Sequence, residues 1–289
     1  MMPRQFVCAL THVRHESYFL EKWIAHYGAI VGRENLHVVI DGNDWEPDVD
    51  LSGIKTEILR DAPRRRIQND RFMAHEMSTR ANGLRKSYEH VIRGDCDEYV
   101  VIDPQAGLDW PAALEELGED GYIFALGIDV VQASEETAVV ARGQPILGQR
   151  CFGYVADTYT KPFVISRWNN WAGGAHRLLN RSVRMSRHFV LFHLALADQS
   201  LAEERLAARG GTAQHRSFVG HQTDRLNSIG DTDLSAGMIA FPEACAIAHA
   251  QFPIEADGSP AKRPRKASDP RAGDRGLPIR IPDRFFGLV

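Results

Sequence analysis

Short apolar runs alternate with polar, amphipathic stretches along this chain, the rhythm expected when strands and helices take turns. Phe6 to Leu10 (FVCAL) is a short strand candidate, followed by a polar turn from Thr11 to Ser17. Between Tyr18 and Val31, Phe19, Leu20, Trp23, Ile24, Tyr27 and Ile30 recur at helical spacing, which predicts a helix with one buried face. Leu36 to Ile40 (LHVVI) reads as a second buried strand and runs into Asp41-Gly42-Asn43-Asp44, a strong turn signal. Lys55 to Leu59 is a third strand candidate, and the basic segment from Arg60 to Lys86 is predicted to be mostly helical after Pro63. A strand carrying Asp95, a helix around Ala112 to Leu117 and a buried strand at Tyr122 to Val131 follow. Further along, Lys161 to Ser166 reads as an edge strand because of Pro162, Trp168 to His176 as a glycine-containing loop, and His188 to Ala197 as a buried strand. Ala202 to Arg209 reads as a short helix ended by Gly210-Gly211.

Strands exchanging with helices argue for an α/β fold, a mostly parallel sheet of Rossmann type covered by helices on both faces. Ligands of such sheets collect outside the carboxyl ends of the strands. Here those ends carry Thr11 to Glu16, Asp41 to Asp44, Asp95 to Glu98 and Asp129, so polar groups gather at one edge of an apolar sheet. The most informative of them is Asp95-Cys96-Asp97-Glu98, set within Tyr88 to Pro104 (YEHVIRGDCDEYVVIDP). In an extended segment Asp95 and Asp97 project to the same side and would repel. A hard divalent cation, Mg2+ or Mn2+, removes that penalty and bridges carboxylates to a substrate's phosphates.

The run Val13-Arg14-His15-Glu16, the stretch Tyr18 to Tyr27 with its Glu21-Lys22-Trp23, and Val39-Ile40-Asp41-Gly42-Asn43 together resemble the opening of the family 2-like glycosyltransferases of GT-A fold. Asp95-Cys96-Asp97-Glu98-Tyr99 is similar to that family's later D-x-D-E element, and the order and spacing agree over about the first 105 residues. His15 stands where the pattern has Asn, and Asn43-Asp44 replaces a serine-containing turn. The resemblance implies transfer of a sugar from a nucleotide-sugar donor, UDP- or GDP-linked, to a glycan or glycolipid acceptor. It implies Asp95 near the ribose or the metal, Asp97 on the metal, and Thr11, Arg14, Glu16 and Asp41 around the nucleoside. It also implies a metal-completing histidine after the glycine loop, which selects His176.

A nucleoside diphosphate leaves more readily when cations neutralise its developing charge. Arg64, Arg65, Arg66, Arg71, Arg80 and Asn82 lie between the third strand and the acidic motif, and Arg71 and Asn82 are the donor-binding candidates among them. An inverting transfer needs a base for the acceptor hydroxyl. Asp129 is the first candidate, Asp157 the second, and Glu98 the third. His193 is read as a core residue, and Trp168 and Trp171 as core residues that can alternatively stack on an acceptor sugar.

At 289 residues and 44% hydrophobic, the chain suffices for one large domain. The expected organisation is a nucleotide-sugar-binding half over 1–130, an acceptor-binding half over 131–255, and a flexible tail rich in Pro and Arg over 256–289. A net charge of −4 argues against a general nucleic-acid binder. The cysteines form no C-x-x-C pair, no secretory leader pattern is seen, and no apolar run reaches about 18 residues. A cytoplasmic setting is expected, with any membrane contact peripheral. Two other functions fit paired carboxylates. One is a sugar nucleotidyltransferase, which the glycine-free turn THVRHES disfavours, and the other is a silent nucleotide-sugar-binding module.

Overall fold

The apolar runs become ten strands joined in one sheet in the computed structural model, which describes residues 4–60, 66–208 and 237–289. They are β1 (Gln5–Val13), β2 (Leu36–Asp41), β3 (Lys55–Leu59), β4 (Tyr88–Arg93), β5 (Glu98–Ile102), β6 (Tyr122–Val131), β7 (Phe152–Val155), β8 (Lys161–Ile165), β9 (Met185–Leu196) and β10 (Leu277–Arg280). The helices are α1 (Ser17–Val31), α2 (Arg66–Leu84), α3 (Trp110–Leu114), α4 (Gln199–Ala208) and α5 (Phe241–Gln251). The main path runs β10-β7-β6-β8-β4-β1-β2-β3, and β9 leaves it at β6 to pair with β5. Strands β3, β2, β1 and β4 are mutually parallel, as is the β6–β9 pair; β8, β7, β10 and β5 join antiparallel.

Alternation along β1 explains the two faces. Val7, Ala9 and Val13 point into one core with Phe19, Trp23 and Tyr27 of α1, while Cys8 and Leu10 point into the other with Met73, Met77 and Ala81 of α2. The α/β expectation thus holds, with helices on both sides of the sheet.

Two expectations are corrected. Pro162 does not mark an edge: β8 lies between β6 and β4, and the missing N–H falls where the β6–β8 register shifts between Ile123 and Phe124. The 256–289 segment is not a loose tail. Leu277, Ile279 and Ile281 alternate after Gly276 and with Phe285 are fully buried, and β10 pairs antiparallel with β7. The charged stretch before them is pinned by buried Ala261 and Ala267. The sheet runs unbroken through the proposed boundary near residue 130, because β6 spans it.

One glycine shapes the site. At Gly127 in β6 a side chain would run into the backbone of Tyr159 and Thr160, so only glycine lets the Asp157–Tyr159 turn lie flat on the strand. Thr160 Oγ1 accepts from Gly127 N at 3.0 Å and fixes that approach.

Candidate functional site

From β1 the chain crosses through α1 to β2 on one side, and from β3 through α2 to β4 on the other, so β1 and β4 flank a topological switch point. Crevices at such points open at the carboxyl ends of the strands. Leu10 pairs with Arg93 there, and Gly94 N donates to Leu10 O at 3.4 Å, which sets the Asp95–Glu98 segment beside the end of β1. The antiparallel half delivers its groups to the same place. Lys161 begins β8 opposite Ala125, and His193 stands opposite both Asp129 on β6 and Glu98 on β5.

Asp95 and Asp97 do not share one face of a strand. The segment is a tight turn between β4 and β5, closed by Glu98 N donating to Asp95 O (3.0 Å) and Asp95 N donating to Glu98 Oε2 (3.2 Å). Each carboxylate meets a cation, and Lys161 serves two of them. Glu98 is ion-paired with buried Lys161, whose Nζ is also 3.5 Å from Asp95, and Arg93 Nη2 lies 3.8 Å from Asp95. Asp97 accepts from Arg205 Nη2 at 2.9 Å. Arg205 of α4 also pairs with Glu16, donates to Ala195 O (3.1 Å) and covers the Phe19 ring (4.6 Å). Burial raises the carboxyl of Asp95, but Lys161, Arg93 and the nearby histidines outweigh it and hold Asp95 below the usual range. Burial wins at Glu98, which stays raised despite Lys161.

A second cluster borders the first. His193 Nδ1 donates to Asp129 Oδ1 at 2.8 Å, and Tyr159 stacks on the imidazole with ring centroids 3.8 Å apart and planes 15° from parallel. Asp129 is 2% exposed, so the carboxylate expected to act as base is sealed behind its histidine, and Glu98 is likewise enclosed by Lys161. Asp157 lies one residue before Thr158, with Lys266 and Arg263 among the charges acting on it.

The other expected donor contacts divide. Arg14 donates to Asp41 O (2.7 Å) and to both oxygens of Asp44 at the rim, and burial raises the Asp41 carboxyl at the end of β2. Glu16 caps α1 by accepting from Phe19 N. Arg71 is exposed, with its side chain against Gly173. His176 points Nδ1 at Thr158 O (2.7 Å), and burial, then Lys161, push its imidazole down to about 4, so it is neutral at pH 7. Thr11 is fully buried, and its hydroxyl faces its own neighbour, His12 O. Asn82 is removed from the site. It sits near the far end of α2, where its amide donates to Ser78 O and Asn169 O and accepts from Asn169 N. Arg80 is spent on Glu57 and Glu76. Arg64 and Arg65 lie outside the described residues, as do Gly210 and Gly211. Trp168, 63% exposed, follows the far end of β8, whereas buried Trp171 donates from Nε1 to Pro162 O and lies under Arg93.

Sequence reasoning overlooked Lys161, Arg93, Arg205, His12 and Tyr159. Lys161 left a trace, a single charge opening the apolar run KPFVI; Arg205 left none, since a helix such as AEERLAAR reads as solvated. The chemistry of the donor set, carboxylate oxygens and a neutral imidazole, suits Mg2+ or Mn2+. Among the described residues no three such side chains converge as they stand, with Lys161 and Arg205 on the carboxylate oxygens.

No helix among the described residues is long and apolar enough to cross a membrane. No family model matches the chain, and no curated protein matches it. Among solved structures, a mannose-1-phosphate geranyltransferase from Thermus thermophilus aligns over 74% of this chain and 67% of its own at 14% identity, with a TM-score of 0.29, a likeness too distant to carry an activity across.

Proposed function

We propose that the protein transfers a sugar, with inversion, from a UDP- or GDP-sugar to a glycan or glycolipid acceptor. The observation that supports this reading is the placement of the Asp95–Glu98 turn at the switch point between β1 and β4, beside Asp41, the end of β1 and the Arg14–Glu16 segment that follows it. His12 Nδ1 and Arg93 Nε flank Asp95, both buried and without a hydrogen-bond partner among the described residues, as donors held for a ligand's oxygens would be. Arg93 and Lys161 supply fixed positive charge where a diphosphate would leave.

Charge also explains why a cation belongs to the reading. The carboxylates of Glu16, Asp41, Asp95, Asp97, Glu98 and Asp129 outnumber the fixed cations Arg93, Lys161 and Arg205, so an anionic donor enters a negative site. Mn2+ or Mg2+ would offset most of that excess. Asp95, 36% exposed at its side chain, is the first ligand to expect; Asp97 would follow on leaving Arg205, with His176 as the third.

Thermal-shift titration against UDP, GDP and CMP, each with Mn2+ or with EDTA, tests this. A ligand bound only by the native state raises its stability by RT ln(1 + [L]/Kd). The expected result is stabilisation by one nucleotide only with metal, lost in Asp97→Asn with the fold intact. No shift with any nucleotide would leave a binding module of other specificity.

A further inference from the structure

We propose that His193 is the general base of the transfer and Asp129 its positioning residue, an inference that rests on the glycosyl-transfer reading above. A base needs a lone pair that no ion pair already holds. Asp129 is shut in and already engaged by the imidazole, and each nearby carboxylate, Asp95, Asp97 and Glu98, is tied to a fixed cation. The His193 imidazole is the one this arrangement orients, backed by Asp129 and standing opposite Glu98 across the β5–β9 pair. With Nδ1 facing Asp129 at 2.8 Å, Nε2 is the ring atom that would take the acceptor's proton.

The ring is held in two independent ways. Tyr159 stacking fixes its plane, and the 2.8 Å bond to Asp129 fixes its rotation. Both depend on backbone placement, since Gly127 admits the turn that carries Tyr159, and the β6–β9 register sets Asp129 opposite His193. Lys161, two residues after Tyr159, ties the same turn to Glu98. The base is thereby anchored to the Asp95–Glu98 turn beside which the donor's diphosphate would lie.

In the step, the acceptor oxygen forms a bond to the anomeric carbon while the bond from that carbon to the diphosphate oxygen breaks. The nucleoside diphosphate leaves with the electron pair, and the hydroxyl proton passes to His193 Nε2. The resulting imidazolium is stabilised by the Asp129 carboxylate and later returns its proton to water.

The test measures turnover of UDP-glucose and GDP-mannose, by transfer or by hydrolysis, together with nucleotide binding by thermal shift. His193→Gln is expected to lower kcat by about 10^2–10^4-fold with KM and nucleotide binding unchanged. Asp129→Asn should lower kcat by about 10^2-fold, and added imidazole should restore part of the activity of His193→Ala. Turnover by His193→Gln within about threefold of the native rate overturns the proposal, as does loss of nucleotide binding in that variant, which would make His193 a ligand rather than a base. Should His193→Gln fail to fold, the product's anomeric configuration, read by NMR on the native enzyme, decides: retention overturns the assignment. Absence of any nucleotide shift in the native protein sinks the glycosyl-transfer reading itself, whereas binding without turnover overturns the base alone.

Discussion

Replacing Lys161 by Met isolates the electrostatic keystone of the turn. The side chains of Lys161 and Glu98 are 6% and 3% exposed, and Met fills nearly the same volume, so the change removes a charge while disturbing packing little. Removing one partner of a buried pair leaves an uncompensated charge and costs about 3–5 kcal/mol. Glu98 can escape that cost only by taking a proton. Burial already holds its carboxyl above the ordinary range with Lys161 present, and the substitution removes the opposing influence. In the variant, the folded state then binds a proton that the unfolded state has lost. A carboxyl raised on folding contributes stability that is full below its unfolded pKa and vanishes as pH rises through its folded pKa, so the variant weakens with rising pH at up to about 1.4 kcal/mol per unit. Urea denaturation at pH 5, 6 and 7.5 should show the gap between native and variant widening from acid to neutral pH, to about 3–5 kcal/mol. A gap below about 1 kcal/mol at neutral pH, or one independent of pH, would refute Lys161 as the counter-charge of Glu98.

Three further outcomes are expected. Arg205→Ala releases Asp97 and Glu16, so Mn2+ affinity measured by calorimetry should rise about tenfold or more even as the melting temperature falls; unchanged affinity would mean Arg205 does not compete with the metal. Gly127→Ala drives a methyl group into the Tyr159 and Thr160 backbone and should cost about 3 kcal/mol or more, read as loss of soluble protein or a lowered urea midpoint; a variant of native stability would contradict the crossing. Deleting residues 276–289 removes β10 and bares the edge of β7, and should give an aggregating protein by size-exclusion chromatography, whereas a stable monomer would restore the view of this segment as a loose tail.

Much of the fold was legible because burial follows a short period. Tyr122–Val131 begins and ends where its apolar run does, and α1 follows the spacing of Phe19, Trp23 and Tyr27, while Lys55–Leu59 forms the expected strand with only Leu59 buried. The same patterning hid what depends on partners far along the chain. Charge and proline dominate the composition of 256–289, while the alternating Leu277, Ile279 and Ile281 need only the edge of β7 to become a strand.

The sequence by itself determined which local segments could be strands or helices, and it placed Asp41, Asp95, Asp97 and Asp129 at strand ends or in the turns that follow them, since periodicity and turn chemistry act over a few residues. Only the tertiary structure decided which charges meet. It put Lys161 on Glu98, Arg205 on Asp97 and His193 on Asp129, pairs separated in the chain by 63, 108 and 64 residues. Ion pairs and oriented imidazoles depend on distances of about 3 Å between side chains, and sheet register, helix docking and one glycine's lack of a side chain set those distances here.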